Sequence, residues 1–177
     1  SYDPRQLTGR ARSETHKKLS KDKRKPLLNR AIMGTYPPGS TFKTSQALTF
    51  LQEGAITPQT AFPCHGGFIL KGFKLGCHAH SSPTPLVPAI ATSCNAYFCW
   101  GLHRMFGSSK YANIQEAMDT WRDYMVSMGF GYKLGIDLPG EVRGMIPNSK
   151  FYDRHLGKYW KATTVVSISI GQGEVTL

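Results

Sequence analysis

Pro37-Pro38-Gly39-Ser40-Thr41-Phe42-Lys43 is the stretch that decides the reading. Two prolines fix φ at about −65° and withhold backbone donors, and the glycine after them frees the chain for a sharp turn. From there the pattern changes. Ser40 to Leu51 holds no Gly or Pro, Phe42, Ala47, Leu48 and Leu51 recur at helical spacing, and Gly54 is a natural stop. Ser40 is therefore expected in the first turn of a helix, with Lys43 on the same face about 5–6 Å away between Cβ atoms. A serine hydroxyl is a poor nucleophile until a base takes its proton, and a partly buried lysine with a depressed pKa can be that base. A helix start also favours negative charge developing beside it. Spacing alone does not suffice: Ser20-Lys21-Asp22-Lys23 repeats it in a basic stretch with no helix-start signal.

A second element strengthens the first. Ser93-Cys94-Asn95 is the only Ser-x-Asn in the chain, and it falls between helices expected over 85–92 and 96–106. With one residue between them, Ser93 and Asn95 can face the same side of a tight connection, Ser93 to relay a proton and Asn95 to hold a substrate amide. The competing reading is a helix junction where both residues only cap backbone groups.

Working outward, a further helix is expected over 114–128, with Ile114, Ala117, Met118, Trp121, Met125 and Met128 on one face and Gly129 after it. Residues 56–85, rich in Gly, Pro, His and Cys, read as a loop. Residues 135–147 read as a Gly/Pro-punctuated connection, and 165–170 as a strand or a buried turn. Residues 1–30 lack apolar periodicity and read as an extended or partly ordered arm. The chain has 177 residues, 40% of them hydrophobic, enough for one domain with a core. No apolar stretch approaches the roughly 20 residues of a membrane span, and the polar N-terminus lacks a signal-peptide pattern. The first residue is not Met, and both ends are expected to be cut ends of a longer protein. The net charge of +11 is concentrated early, at Arg5, Arg10, Arg12, Lys17, Lys18, Lys21, Lys23, Arg24, Lys25 and Arg30. Such a run suits a solvated arm, anionic lipid or an acidic polymer. Nucleic acid is not expected, since no zinc-finger spacing or aromatic RNA-binding strand accompanies it.

The motifs carry a resemblance. Asn29-Arg30-Ala31, Tyr36 through Lys43, Ala89 through Phe98, Gly135-Ile136-Asp137-Leu138-Pro139-Gly140-Glu141 and Ser169-Ile170-Gly171-Gln172-Gly173 resemble, in order, the transpeptidase domain of class B penicillin-binding proteins, and within it the elongation type. Class A β-lactamases share the first two motifs, but not the long 135–147 connection or the Gly-Gln-Gly ending.

The resemblance implies a mainly α fold class: the helical subdomain of the penicillin-binding protein/β-lactamase-like α+β fold, with most of the central sheet missing. On this reading residues 1–177 form one partial transpeptidase domain. It comprises a basic arm (1–30), an active-site serine helix (31–55), a Cys/His loop (56–85), helices carrying Ser-x-Asn (86–130) and a connection (131–177) toward a third-motif strand. The resemblance further implies that Ser40 attacks the penultimate D-Ala carbonyl of a peptidoglycan stem peptide, with Lys43 as base and Ser93 and Asn95 completing the cleft. Implied partners are D-Ala-D-Ala stem peptides, β-lactam antibiotics and the glycan polymerase of the elongation machinery. The implied location is the periplasmic face of the bacterial cytoplasmic membrane, reached through an N-terminal anchor. No cofactor is implied for catalysis. The family's third motif, Lys-(Ser/Thr)-Gly, does not occur in these residues, and the chain by itself is expected to be inactive. A β-lactamase, a β-lactam sensor and a non-catalytic binding module are the alternatives.

One pattern stands outside this reading. Cys64, Cys77, His80 and Cys94 have the composition of a closed tetrahedral zinc site, three Cys with one His. If Ser93 and Asn95 face the cleft, Cys94 must point the other way, toward the loop that carries the other three. A structural zinc there would order the 56–85 segment. His65 and His78 are reserve ligands, and Cys99 reads as a buried thiol. Disulfides in an oxidising compartment and free buried thiols are the competing readings.

Overall fold

A computed structural model describes residues 2–177, in two units: one runs to Thr35 and includes Gly135–Val142, the other comprises Tyr36–Leu134 and Arg143–Leu177. In the first unit a 3-10 turn at Pro4–Leu7 starts on the Asp3 carboxylate and leads to α1 (Arg12–Lys21). A short α2 (Arg30–Met33) is capped by Asn29, whose Oδ1 accepts the Ala31 N–H at 3.2 Å. The stretch read as extended or partly ordered thus contains a ten-residue helix. Glu14 near its start and Lys18 and Lys21 in its last turn suit the helix dipole, and none of its residues is buried. A helix with no core face leaves no apolar period to detect.

In the second unit the backbone after Pro38 makes a 3-10 turn over Gly39–Phe42 and runs straight into α3 (Lys43–Gln52). Gly54, at φ +68°, ends it as expected. Lys43, Gln46, Ala47, Thr49 and Phe50 form the buried face. Leu48, one of the apolar residues at helical spacing, lies outside this face and is 60% exposed. The next helices are α4 (Leu86–Ala91), α5 (Asn95–Phe106) and α6 (Ile114–Ser127), within a residue or so of the expected bounds. Gly101 of α5 lets the backbone meet the Phe50 ring closely, since a Cβ there would lie 2.6 Å from it. α6 buries Ala117, Met118, Trp121 and Met125. The Trp121 indole N–H donates to Gln46 Oε1 at 2.8 Å, and Gln46 Nε2 reaches Met125 Sδ at 3.3 Å, joining α3 and α6 through a buried but satisfied amide.

The 56–85 segment, read as a loop, is two small antiparallel sheets. β1 (Ala61–Phe62) pairs with β4 (Thr84–Pro85), and β2 (Gly67–Leu70) with β3 (Phe73–Gly76). Lys71 and Gly72 both have positive φ, the two-residue turn that suits a hairpin's twist. Phe68 of β2 is fully buried and packs edge-on to Trp100 of α5, 4.5 Å between ring centres.

α7 (Ser149–Leu156), not anticipated from the sequence, is capped by Asn148 and anchored by Asp119 of α6, which accepts the Ser149 N–H at 2.8 Å and its hydroxyl at 2.6 Å. α8 (Ala162–Val165) passes into a 3-10 turn over Val166–Ile170 that ends at a left-handed Gly171. Val166, Ile168, Ser169 and Ile170 are buried there, so of the two forms expected for 165–170 the buried turn is found. Beyond it, Thr176 exchanges backbone hydrogen bonds with Met145, and Leu177 with Tyr36. The architecture is mainly helical with small two-stranded sheets. Among the described residues, no helix is long and apolar enough to cross a membrane.

Candidate active site and metal-ligand cluster

Ser40 is the second residue of the 3-10 turn and is exposed, whereas Lys43, the first residue of α3, is only 2% exposed. What Lys43 meets is the Ser93-Cys94-Asn95 connection. Its Nζ donates to the Ser93 carbonyl at 2.7 Å, the Ser93 hydroxyl at 3.0 Å and Asn95 Oδ1 at 2.7 Å. It also lies 5.7 Å from the centre of the Phe98 ring. Burial holds the Lys43 pKa below its usual value, while the thiols of Cys77, Cys94 and Cys99 act weakly the other way. Burial suits the amine to give up its proton, and the oxygens it donates to temper that tendency without cancelling it.

The connection is folded for this contact. α4 closes with the Ser93 and Cys94 N–H groups donating to Ile90 and Ala89 carbonyls at 3.0 and 2.8 Å. Ser93 takes φ +53°, a left-handed conformation that serine rarely adopts. Cys94 then starts α5, its Sγ accepting the Tyr97 N–H at 3.3 Å. Ser93 and Asn95 both face Lys43, and Cys94 is fully buried on the other side.

Behind the connection, one ligand atom from each of Cys64, Cys77, His80 and Cys94 lies within 4.8 Å of the others. Cys77 Sγ and His80 Nε2 are 3.6 Å apart. All four cysteines are free, and Cys99, in α5, is buried away from the cluster against Ser169. Burial alone would push the Cys77 thiol up, but N–H groups of Asn95 and Ala96 and the His80 ring outweigh it and bring the pKa down to about 7. Cys94 is pushed up to about 12, chiefly by burial. Tetrahedral zinc with S and N ligands needs ligand–ligand edges of about 3.3–3.8 Å. Cys77 and His80 already stand at that spacing, and the four residues together could hold a metal ion if the wider 4.8 Å spread closed around it. His65 and His78 lie outside it.

Two features that carry the site were not read from the sequence. The Asn95 amide is held from behind, its Nδ2 donating to the Gly76 carbonyl at 2.9 Å and its backbone N–H to Cys77 Sγ at 3.2 Å. And Gly171 accepts the Gly39 N–H at 2.8 Å directly behind the serine turn. The first depends on the β2–β3 hairpin and the second on a contact between residues far apart in sequence; the Gly171-Gln172-Gly173 motif marks the glycine but not what it touches.

The penicillin binding protein transpeptidase domain model matches residues 1–176. Among curated proteins, the chain is 31% identical to the peptidoglycan D,D-transpeptidase MrdA of Acinetobacter baumannii over 99% of its own length and 25% of that protein. It is 40% identical to the peptidoglycan D,D-transpeptidase PbpA of Mycolicibacterium smegmatis, over 100% of the chain and 34% of that protein. The chain thus spans about a quarter to a third of these relatives. Among solved structures, a peptidoglycan synthase complex that coordinates polymerization and crosslinking contains a chain 30% identical, with TM-score 0.81 over 99% of this chain and 29% of that one. Penicillin-binding protein PBP2 of Helicobacter pylori, solved in complex with MreC, is 26% identical with TM-score 0.79 over 97% of this chain and 30% of that one.

Proposed function

Because the chain belongs to the penicillin-binding protein transpeptidase family, we propose that it supplies the nucleophile of a D,D-transpeptidase that cross-links peptidoglycan stem peptides during cell elongation. The observation that carries this is the Lys43 amine, buried one residue after the serine turn and bonded to Ser93 and Asn95. In its neutral form the amine has two N–H bonds and a lone pair. It can donate to the Ser93 carbonyl and Asn95 Oδ1 and direct the lone pair toward a hydroxyl. Lys43 takes the Ser40 proton as Oγ attacks the penultimate D-Ala carbonyl. Ser93, within hydrogen-bond reach of Lys43, passes a proton to the departing D-Ala amine. An amine from a second stem then attacks the acyl-Ser40 ester, restores the hydroxyl and leaves a cross-link. A β-lactam meets the same nucleophile and stops at the ester. Asn95 Oδ1 and one Nδ2 proton are engaged by Lys43 and Gly76, so the second Nδ2 proton is the one available to a substrate amide.

The setting proposed is the periplasmic face of the cytoplasmic membrane, beside a glycan polymerase. The resemblance to the elongation transpeptidases and to a solved synthase complex supports it. Substrate carboxylate recognition and a second oxyanion donor are assigned to a Lys-(Ser/Thr)-Gly strand, absent from these 177 residues. The test is labelling with a fluorescent penicillin, in a chain that continues through such a strand. Ser40→Ala should abolish labelling and leave the fold intact, because Ser40 is exposed. Labelling that survives sinks the transpeptidase, lactamase and sensor readings of Ser40 alike. Label released within minutes instead of hours would favour a β-lactamase.

We further propose that Cys64, Cys77, His80 and Cys94 hold a structural zinc. Three thiolates and one imidazole form a closed set with no position for substrate, so the metal supplies cross-linking and no chemistry. What it would fix is the Gly76–Cys77 segment that holds Asn95. Elemental analysis should find one zinc per chain, lost in Cys77→Ser with a lower Tm. Metal-free protein with intact thiols, or a mass lowered by disulfides, would refute it.

A further inference from the structure

We infer that Gly171 is a positioning residue for the oxyanion-binding amide of the reaction, acting through the peptide that joins Gly39 to Ser40; this rests on Ser40 being the nucleophile. Gly171 ends the 3-10 turn Val166–Ile170 in a left-handed conformation, φ +66°. There it packs backbone to backbone against the serine turn. Its carbonyl accepts the Gly39 N–H at 2.8 Å. A Cβ at position 171 would lie 2.3 Å from the Gly39 carbonyl oxygen, 2.8 Å from the Gly39 nitrogen and 2.8 Å from Phe42 Cβ. All three atoms belong to the turn that carries Ser40, and two are backbone atoms that cannot swing aside.

The consequence follows from peptide planarity. The Gly39 carbonyl and the Ser40 N–H share one rigid plane and point in opposite directions in a trans peptide. With the carbonyl turned onto the bare Cα of Gly171, the Ser40 N–H faces away from it. That N–H is at the start of a helix, where amides have no intrahelical acceptor. Hydrolases that use a serine nucleophile commonly enlist the nucleophile's own N–H to hold the oxyanion of the tetrahedral intermediate. A side chain at 171 would push the carbonyl away, rotate the plane and mis-aim the donor, leaving the Ser40 hydroxyl, Lys43, Ser93 and Asn95 chemically intact. Glycine is therefore required at 171 for lack of bulk as well as for its φ.

A matched pair of variants separates the two requirements. Gly54, which ends α3, has a similar φ, +68°, but nothing lies within 4 Å of a Cβ built there. In a chain continuing through a Lys-(Ser/Thr)-Gly strand, benzylpenicillin acylation is resolved into the dissociation constant of the initial complex and the acylation rate constant. Gly171→Ala should lower the rate constant about 100- to 1,000-fold, the loss typical of an oxyanion donor, with the dissociation constant changed less than about threefold. Gly54→Ala should leave both near wild type. An unchanged rate constant in Gly171→Ala, or equal losses in the two variants, would overturn the inference. If Gly171→Ala does not fold, amide hydrogen exchange of the wild-type chain decides. The Gly39 amide should be protected and the Ser40 amide exposed; the reverse pattern contradicts the assignment. Ser40→Ala in the same assay keeps the two readings apart. Labelling that survives it ends the nucleophile assignment, whereas labelling lost there but undiminished in Gly171→Ala ends only this inference.

Discussion

At Lys43 burial removes water from the ammonium and lowers its pKa, while the oxygens it donates to favour the charged form and offset part of that shift. The folded pKa lies below the usual 10.5, so between the two values the unfolded chain binds the proton more tightly. Stability from this residue therefore rises with pH across that window and is missing below it. Lys43→Met should flatten the rise of Tm with pH toward 10.5, although it also strands the Ser93 carbonyl and the Asn95 oxygen. A rise as steep as in wild type would show that Lys43 titrates normally. The same substitution should slow acylation at least about 100-fold, the usual weight of a general base. Acylation by the wild type should climb with pH as the amine loses its proton. The meeting of Lys43 with Ser93 and Asn95 was legible because its signals are local: a proline-glycine entry, a lysine three residues after a helix-start serine, a Ser-x-Asn between two helices. The Gly76 carbonyl's hold on Asn95 and Gly171's contact with Gly39 were not, because both are made by backbone, and a backbone contact between distant residues leaves no mark in side-chain chemistry.

Among the elements, α5 and α6 were legible to within a residue or so because each has a continuous apolar stripe and a terminal stop. α7 was missed; one turn of it touches the core, through Tyr152, and its start depends on Asp119 from another helix. The β2–β3 hairpin hid in a segment whose glycines and histidines read as loop, although Lys71-Gly72 between Leu70 and Phe73 is a turn signal. The close crossing of α3 and α5 at Gly101 is testable. A methyl group there would overlap the Phe50 ring at 2.6 Å. Gly101→Ala gains about 1 kcal/mol of helix propensity but should still destabilise the protein by about 1–3 kcal/mol through overpacking, measured by urea unfolding. A stabilised variant would mean that the two helices can part without cost.

For the molecule as a whole, Glu53 joins elements distant in sequence. Its carboxylate, 5% exposed, accepts the Tyr124 hydroxyl at 2.7 Å and receives Tyr111 and Lys110 as well. Burial raises its pKa, but those three donors outweigh it and hold it below the usual 4.5. A depressed carboxylate stabilises the fold above its unfolded pKa and loses that contribution as pH falls through the folded one. Glu53→Gln should therefore lower Tm at neutral pH and flatten the fall below pH 4.5; an unchanged acid limb would remove Glu53 from that role. The 177 residues alone should react slowly with penicillin, since one preorganised oxyanion donor is worth about 3–4 kcal/mol and the strand assigned to supply the second is not among them. Rapid stoichiometric acylation of this chain would contradict that. The most direct test of the account is the location of the covalent bond. A chain continuing through a Lys-(Ser/Thr)-Gly strand is incubated with benzylpenicillin, digested with trypsin and sequenced by mass spectrometry. One adduct is expected, on Ser40 within the peptide Ala31–Lys43; an adduct on any other residue, Ser93 included, or none at all, would contradict it.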